Sequence, residues 1–267
     1  MKMLKIKRSV CLIVTAVAVA VLIVLEILKP APFGIATLDE SFLTTLTRMI
    51  GGAVFLIVTL YLGYDVLNPK YVFTKRFLLI LPCLVVAVNN LPSVALLRAD
   101  AKVTGSAAEI AFFAVECVFV AIFEELAFRS ALFLSMLKNR RSRKGIFTSI
   151  LISSALFGLF HMVNLIYGAS LGSVILQVGY STLVGCMCAF VLFKTHSVWL
   201  AALVHAVYNF CGHIVPRLGE GKMLNAPQII ITVIISLFCA IYIIISLIKI
   251  DISEADSLFP KNSRSNK

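Results

Sequence analysis

At 267 residues the chain could hold one or two domains, but 60% of its residues are hydrophobic, 14% are charged and its mean hydropathy is +1.01. That balance excludes an ordinary soluble domain and leaves a membrane protein. The net charge of +11 lies in short clusters between apolar runs, where basic residues act as topology signals, so nucleic acid is excluded as a partner.

A helix needs about 20 apolar residues to cross the hydrocarbon core, and eight segments qualify: 9–28, 42–64, 77–97, 107–137, 145–167, 171–193, 197–215 and 227–248. The expected fold is therefore all-α, a polytopic bundle of eight transmembrane helices. The first segment follows MKMLKIKR; its apolar run is too long for a signal peptide and LEILKP is a poor cleavage site, so it is expected to stay as a helix. In the second, Arg48 is expected to snorkel outward or to pack. In the third, Asn89, Asn90 and Pro92 of VAVNNLPS are expected to break the helix inside the bundle. The fourth carries Glu109 and Glu116 on one face near its outer end, with Glu109 expected in interfacial water, and then FEELAFRSALF at 123–133. KNRRSRK follows as a topology anchor. The fifth contains FGLFHMVN and the seventh HAVYN. His196 and His213 lie near helix ends and read as interfacial. The seven cysteines (11, 83, 117, 186, 188, 211, 239) show no paired extramembrane spacing and read as packing residues. The tail DISEADSLFPKNSRSNK is polar and is expected to be disordered.

These elements divide the chain into amino-terminal helices at 1–106, a core at 107–215, a last helix at 216–248 and a cytoplasmic tail at 249–267. With the amino terminus placed in the cytoplasm, the loops on that side carry 17 Lys and Arg against 5 on the other. The positive-inside rule then puts both termini in the cytoplasm. The loops are short, so any chemistry belongs to the bundle.

Each ionisable group at the centre of a membrane helix costs about 2.5 to 3.5 kcal/mol on insertion scales. Glu125 and Arg129 are four apart on one helix face and are expected to pair. Glu124 lies about 100° around the helix and needs a partner from elsewhere. His161 in the fifth segment, and His205 with Asn209 one turn apart in the seventh, can supply one. Structural glue between helices rarely requires two adjacent carboxylates, so the set points to a functional site. A carboxylate and an imidazole sharing a water can generate a nucleophile, with an imidazole and an amide donating to an oxyanion. One Glu and two His also match the ligands of a hydrolytic zinc site. Both alternatives are hydrolytic. HExxH and GxSxG are absent.

EELAFR at 124–129, FGLFH at 157–161 and HAVYN at 205–209 resemble the EExxxR, FxxxH and HxxxN motifs of the CPBP family of intramembrane proteases. This family is also called the Abi or CAAX-protease family and is related to the Rce1 prenyl-protein endopeptidase. The resemblance covers residues 100–210. It implies an intramembrane endopeptidase in which Glu124 and His161 activate water, His205 and Asn209 form the oxyanion site, and Glu125 and Arg129 orient them. It implies either no obligatory metal or, if zinc is present, the ligand set Glu124, His161 and His205. The implied substrate is a hydrophobic or membrane-tethered peptide, in CAAX-type processing or in peptide-pheromone or bacteriocin-related maturation or immunity. The implied location is a multi-pass protein of a bacterial plasma membrane, in contact with the lipid bilayer. The alternative is a non-catalytic immunity or scaffold protein binding a bacteriocin or sensor partner. A proton-relay transporter is a third reading, but no inverted repeat echoes the EELAFR helix.

Overall fold

The computed structural model describes residues 8–68, 75–139, 142–223, 225–250, 252–256 and 258–259. Most of the basic runs MKMLKIKR and NPKYVFTKR, the arginine pair at 140–141 and the residues from 260 onward lie outside them. Helix follows helix: α1 (Arg8–Leu28), α2 (Ala36–Leu62), α3 (Leu81–Asn89), α4 (Ser93–Leu97), α5 (Ala107–Glu125), α6 (Leu134–Lys138), α7 (Arg143–Phe160), α8 (Leu171–Thr195), α9 (Val198–Leu218), α10 (Ala226–Ile248) and α11 (Ser253–Asp256). Strands β1 (Ala101–Val103) and β2 (Gly219–Gly221) pair antiparallel, with Lys102 opposite Glu220. Five of the described helices are long and apolar enough to span a membrane, with shorter apolar helices at Ile13–Leu25 and Arg76–Asn89. The chain is an all-α, multi-pass integral membrane protein.

α5 is not among the five because it carries four glutamates, at 109, 116, 124 and 125. Its place is interior, between α2 and α9. Its start is fixed by a capping box: Glu109 N–H donates to Ser106 Oγ, and Ser106 N–H donates to Glu109 Oε2 at 2.8 Å. Thr37 of α2 also donates to Glu109. Glu109 therefore does not simply face interfacial water; it joins two helix ends. Of the two outcomes expected for Arg48, snorkelling or packing, the structure shows packing. Its guanidinium carbon lies 5.3 Å from the centre of the Phe123 ring, so the charge is held against an aromatic face within the bundle.

The helix break at Asn89–Pro92 forms as expected, and α10 satisfies the groups it frees. Buried Gln228 accepts from Val94 N–H at 3.1 Å and donates to the carbonyls of Asn89 and Leu91. Asn90 donates to the Tyr208 carbonyl at 2.9 Å, tying the break to α9.

The two ends of the bundle differ. The end holding Tyr64, Leu134, Leu137 and Phe193 is the main close-packed core. The tail, expected to be disordered, docks there: Leu258 and Phe259 are buried, Phe259 sets its ring edge-on to Tyr64, and Lys194 pairs with Glu254 at 2.9 Å. Ala255 is buried with Leu258 and Phe259, and the apolar area they remove from water holds this described part of the tail. His196, read as interfacial, is also buried at this end, in a left-handed conformation (φ 60°) between α8 and α9.

α7 and α8 approach closely at Gly158, where an added Cβ would lie 2.1 Å from Thr182 Oγ1 and 2.6 Å from the Val178 carbonyl oxygen. The second contact is backbone and cannot swing away. Gly158→Ala should therefore destabilise the purified protein by about 1–3 kcal/mol, read as a lowered thermal midpoint in detergent; an unchanged midpoint would contradict this packing.

His196 gives a pH prediction. Burial, reinforced by Arg76 and Lys194 and opposed by Asp65, pushes its pKa down from 6.5 to about 4. The unfolded chain then binds a proton between those values that the folded chain refuses. The stability contributed by the neutral ring is complete above pH 6.5 and is lost as pH falls towards 4. His196→Asn, which tolerates a left-handed backbone, should flatten the dependence of thermal midpoint on pH across that window.

Candidate active site

The site begins where α5 changes pitch. Residues Leu126–Phe133 form a π-helical stretch, closed by Leu134 N–H donating to the Arg129 carbonyl. Sequence periodicity had predicted one continuous helix over 107–137; the wider turn lies within the EELAFR motif, a common position for such turns in functional sites.

Glu125 is wholly buried. Its Oε2 lies 3.0 Å from Arg129 Nε, the expected i,i+4 ion pair. Its Oε1 accepts from His205 Nδ1–H of α9 at 2.7 Å. A carboxylate only accepts, so Nδ1 carries the proton. The other edge of His205 faces Glu124, with Nε2 3.5 Å from Oε2. The partner that Glu124 needs from another helix is therefore His205, which stands between the two adjacent carboxylates.

His161 opens the 3-10 turn His161–Leu165 that ends α7. Its Nδ1–H donates to the Phe157 carbonyl at 3.0 Å. A carbonyl cannot donate, so His161 is held as the Nδ1–H tautomer with the Nε2 lone pair open. Glu124, His161, His205 and Asn209 all line one cavity of about 430 Å³, together with Gln177, Tyr180 and Tyr208. Glu125 and Arg129 lie behind its wall. The four residues expected to act on a substrate thus share a cavity, and the two expected to orient them are sealed from it.

Phe157, previously only a motif letter, organises the site. The Arg129 guanidinium carbon lies 4.3 Å from its ring centre, and the ring meets His161 and His205 edge-on at 5.1 and 5.7 Å. Arg129 is 1% exposed, and its Nη1 and Nη2 have no hydrogen-bond partner. The aromatic face is what those nitrogens meet in place of water. The FxxxH spacing was the available signal, since it puts Phe157 one turn before His161.

Glu116 and His213 also line the cavity. Glu116 Oε2 lies 3.7 Å from Arg217 Nη2, and Arg217 also pairs with Glu40. His213, near the end of α9, is exposed and also lines the cavity.

Among the described residues, one group of three potential metal donors comes within 4.8 Å of one another: Glu125, Cys188 and His205. It is not the Glu124, His161 and His205 set implied for zinc, whose donors would have to draw closer. The observed group fits a catalytic metal poorly. Glu125 is already committed to Arg129 and His205, and neither it nor Cys188 lines the cavity where a water would react. Cys188, read as packing alone, is nevertheless part of this buried polar cluster.

A buried carboxylate, imidazole and guanidinium are thus joined across two helices beside a cavity lined by polar side chains. Residues 106–211 match the family model described as Type II CAAX prenyl endopeptidase Rce1-like. The matched region holds all three motifs, EELAFR, FGLFH and HAVYN. No curated protein and no solved structure matches the chain.

Arg129→Leu removes the charge that balances Glu125 while keeping an apolar side chain against Phe157. Leaving one charge buried alone should cost about 3–5 kcal/mol, measured as a fall in detergent thermal stability. The double variant Arg129→Leu/Glu125→Leu should recover part of that loss; no recovery would show that the pair is not coupled.

Proposed function

We propose that the chain is an intramembrane endopeptidase that cleaves a hydrophobic or membrane-tethered peptide, acting in the plasma membrane of a bacterium. The observation that carries this reading is that Glu124, His161, His205 and Asn209, from three helices, line one cavity whose polar wall is braced from behind by Glu125 and Arg129. The match of residues 106–211 to a CAAX prenyl endopeptidase family supports the reaction class.

In this mechanism Glu124 takes a proton from a water that also donates to the open Nε2 of His161, and the hydroxide attacks the scissile carbonyl carbon. Negative charge collects on the carbonyl oxygen, which accepts from Asn209 Nδ2–H and from Nε2–H of a protonated His205. Glu125 stabilises that imidazolium through its hydrogen bond at Nδ1. The intermediate collapses by breaking the C–N bond, and Glu124 returns its proton to the leaving amine. Glu125 and Arg129 act only through His205 and are positioning residues. No step is routed through a metal, because the donor atoms that stand together are committed to one another.

Glu124→Gln keeps the shape and removes the base. It should lower the cleavage rate by about 10²–10⁴, and Asn209→Ala should lower kcat by about 10²–10³. The measurement is mass-spectrometric detection of products in proteoliposomes from a panel of prenylated CaaX peptides and hydrophobic peptide precursors. Full activity in Glu124→Gln would refute its role as base, and cleavage of no peptide by the wild type would favour the non-catalytic immunity or scaffold reading.

A further inference from the structure

The first turn of α7 and the last turn of α10 stand side by side without closing on each other. A groove of about 330 Å³ lies between them, lined by Arg143 and Lys144 of α7, by Phe147 one turn further on, and by Ile244, Leu247 and Ile248 of α10. These are also the ends of two candidate membrane spans, Arg143–Leu165 and Ala226–Ile248, so the two cations stand where hydrocarbon gives way to headgroups. The groove continues inward. Phe147, Ile244 and Leu247 also line a second cavity of about 390 Å³, which runs on between the helices past Leu151, Ile243 and Cys239. The rise from Arg143 to Leu151 is about 12 Å and from Ile248 to Cys239 about 14 Å, close to the roughly 15 Å depth of hydrocarbon in one bilayer leaflet.

The head of the groove is positive and lacks a counter-charge. Among the described residues no carboxylate pairs with Arg143 or Lys144, whereas Lys194 at the end of α8 is paired with Glu254. Lys249 follows Ile248 directly and adds a third positive charge at the end of α10. The start of α7 contributes in the same sense. Ser142 Oγ accepts from Gly145 N–H at 3.0 Å, and the N–H groups of Arg143 and Lys144 have no acceptor within the helix, which leaves the partial positive charge of a helix N-terminus beside the two side chains. A topology anchor needs its cations only in the loop; here two of them are the first residues of the helix and line the groove. Charge also argues against the chain's own last segment as the occupant, because PKNSRSNK at 260–267 holds two lysines, one arginine and no acidic side chain.

We propose that this groove binds an anionic phospholipid, its headgroup phosphate held by Arg143 and Lys144 with Lys249 beside them, and one acyl chain lying between α7 and α10 against Phe147, Leu151 and Ile244. An unselected bilayer lipid would cover the same apolar side chains with no preference for a headgroup; the unpaired cations supply the preference. The chain fills a space whose lining otherwise lacks partner atoms on one side. The site lies outside the catalytic motifs and stands independently of the peptidase reading. The second cavity ends at Tyr180, Val184 and Tyr208, which also line the catalytic cavity, so the lipid occupies the apolar space next to it.

The test is a titration of the purified full-length protein, in a non-ionic detergent, with phosphatidylglycerol or phosphatidylcholine of identical acyl chains, bound lipid being counted by native mass spectrometry. Phosphatidylglycerol should bind at least about tenfold more tightly, and Arg143→Gln/Lys144→Gln should remove that preference. Lys222→Gln, which neutralises a charge beyond the other end of α10, should leave it intact. Ile244→Trp fills the groove while keeping both cations, and it should weaken phosphatidylglycerol by a similar factor. Equal affinity of the wild type for the two lipids, an equal loss in Lys222→Gln, or full affinity in Ile244→Trp would each overturn the site. Glycerol 3-phosphate in excess should displace neither lipid. Displacement of phosphatidylglycerol by it would overturn the lipid assignment in favour of a site for free phosphate esters.

Discussion

The structure depends on keeping charge inside a membrane bundle. Glu125 and Arg129 sit where neither can reach bulk water, and each is tolerable only because the other is within 3.0 Å and His205 satisfies the remaining carboxylate oxygen. That requirement fixes the register of α5 against α9, because a slip of one residue on either helix would take His205 away from the carboxylate oxygen that Arg129 leaves open. It also fixes α7, whose Phe157 presents its face to the guanidinium and its edges to both histidines. Close approach of α7 to α8 at Gly158 then sets where His161 leaves the helix.

The bundle divides its labour along the membrane normal. One half is a close-packed core, sealed at its end by the docked tail; the other half is looser and holds the polar cavity. A dry floor beneath Glu124 and His205 strengthens every electrostatic interaction above it, since low-dielectric surroundings screen charge poorly.

The sequence and the structure agree most where hydrophobic length decides the outcome. The long apolar runs became helices near their expected limits, and the break at Asn89–Pro92 formed because Gln228 could satisfy the freed groups. They part where a neighbour decides. Glu109 joins two helix ends as well as meeting water, His196 is buried and the described part of the tail docks through Leu258 and Phe259. Each of these outcomes depends on a residue distant in the chain, which periodicity cannot register.

For this protein the sequence by itself determined the membrane class, the helical runs, the orientation signal in the basic loops and the six polar residues worth following, because hydropathy, charge placement and i,i+4 spacing are local properties. Only the tertiary structure decided that His205 bridges both glutamates, that Phe157 covers Arg129, that Cys188 stands beside them and that Glu124, His161, His205 and Asn209 line one cavity. Those features arise from distances between helices, and such distances are set by close packing across the bundle, to which no single segment holds the key.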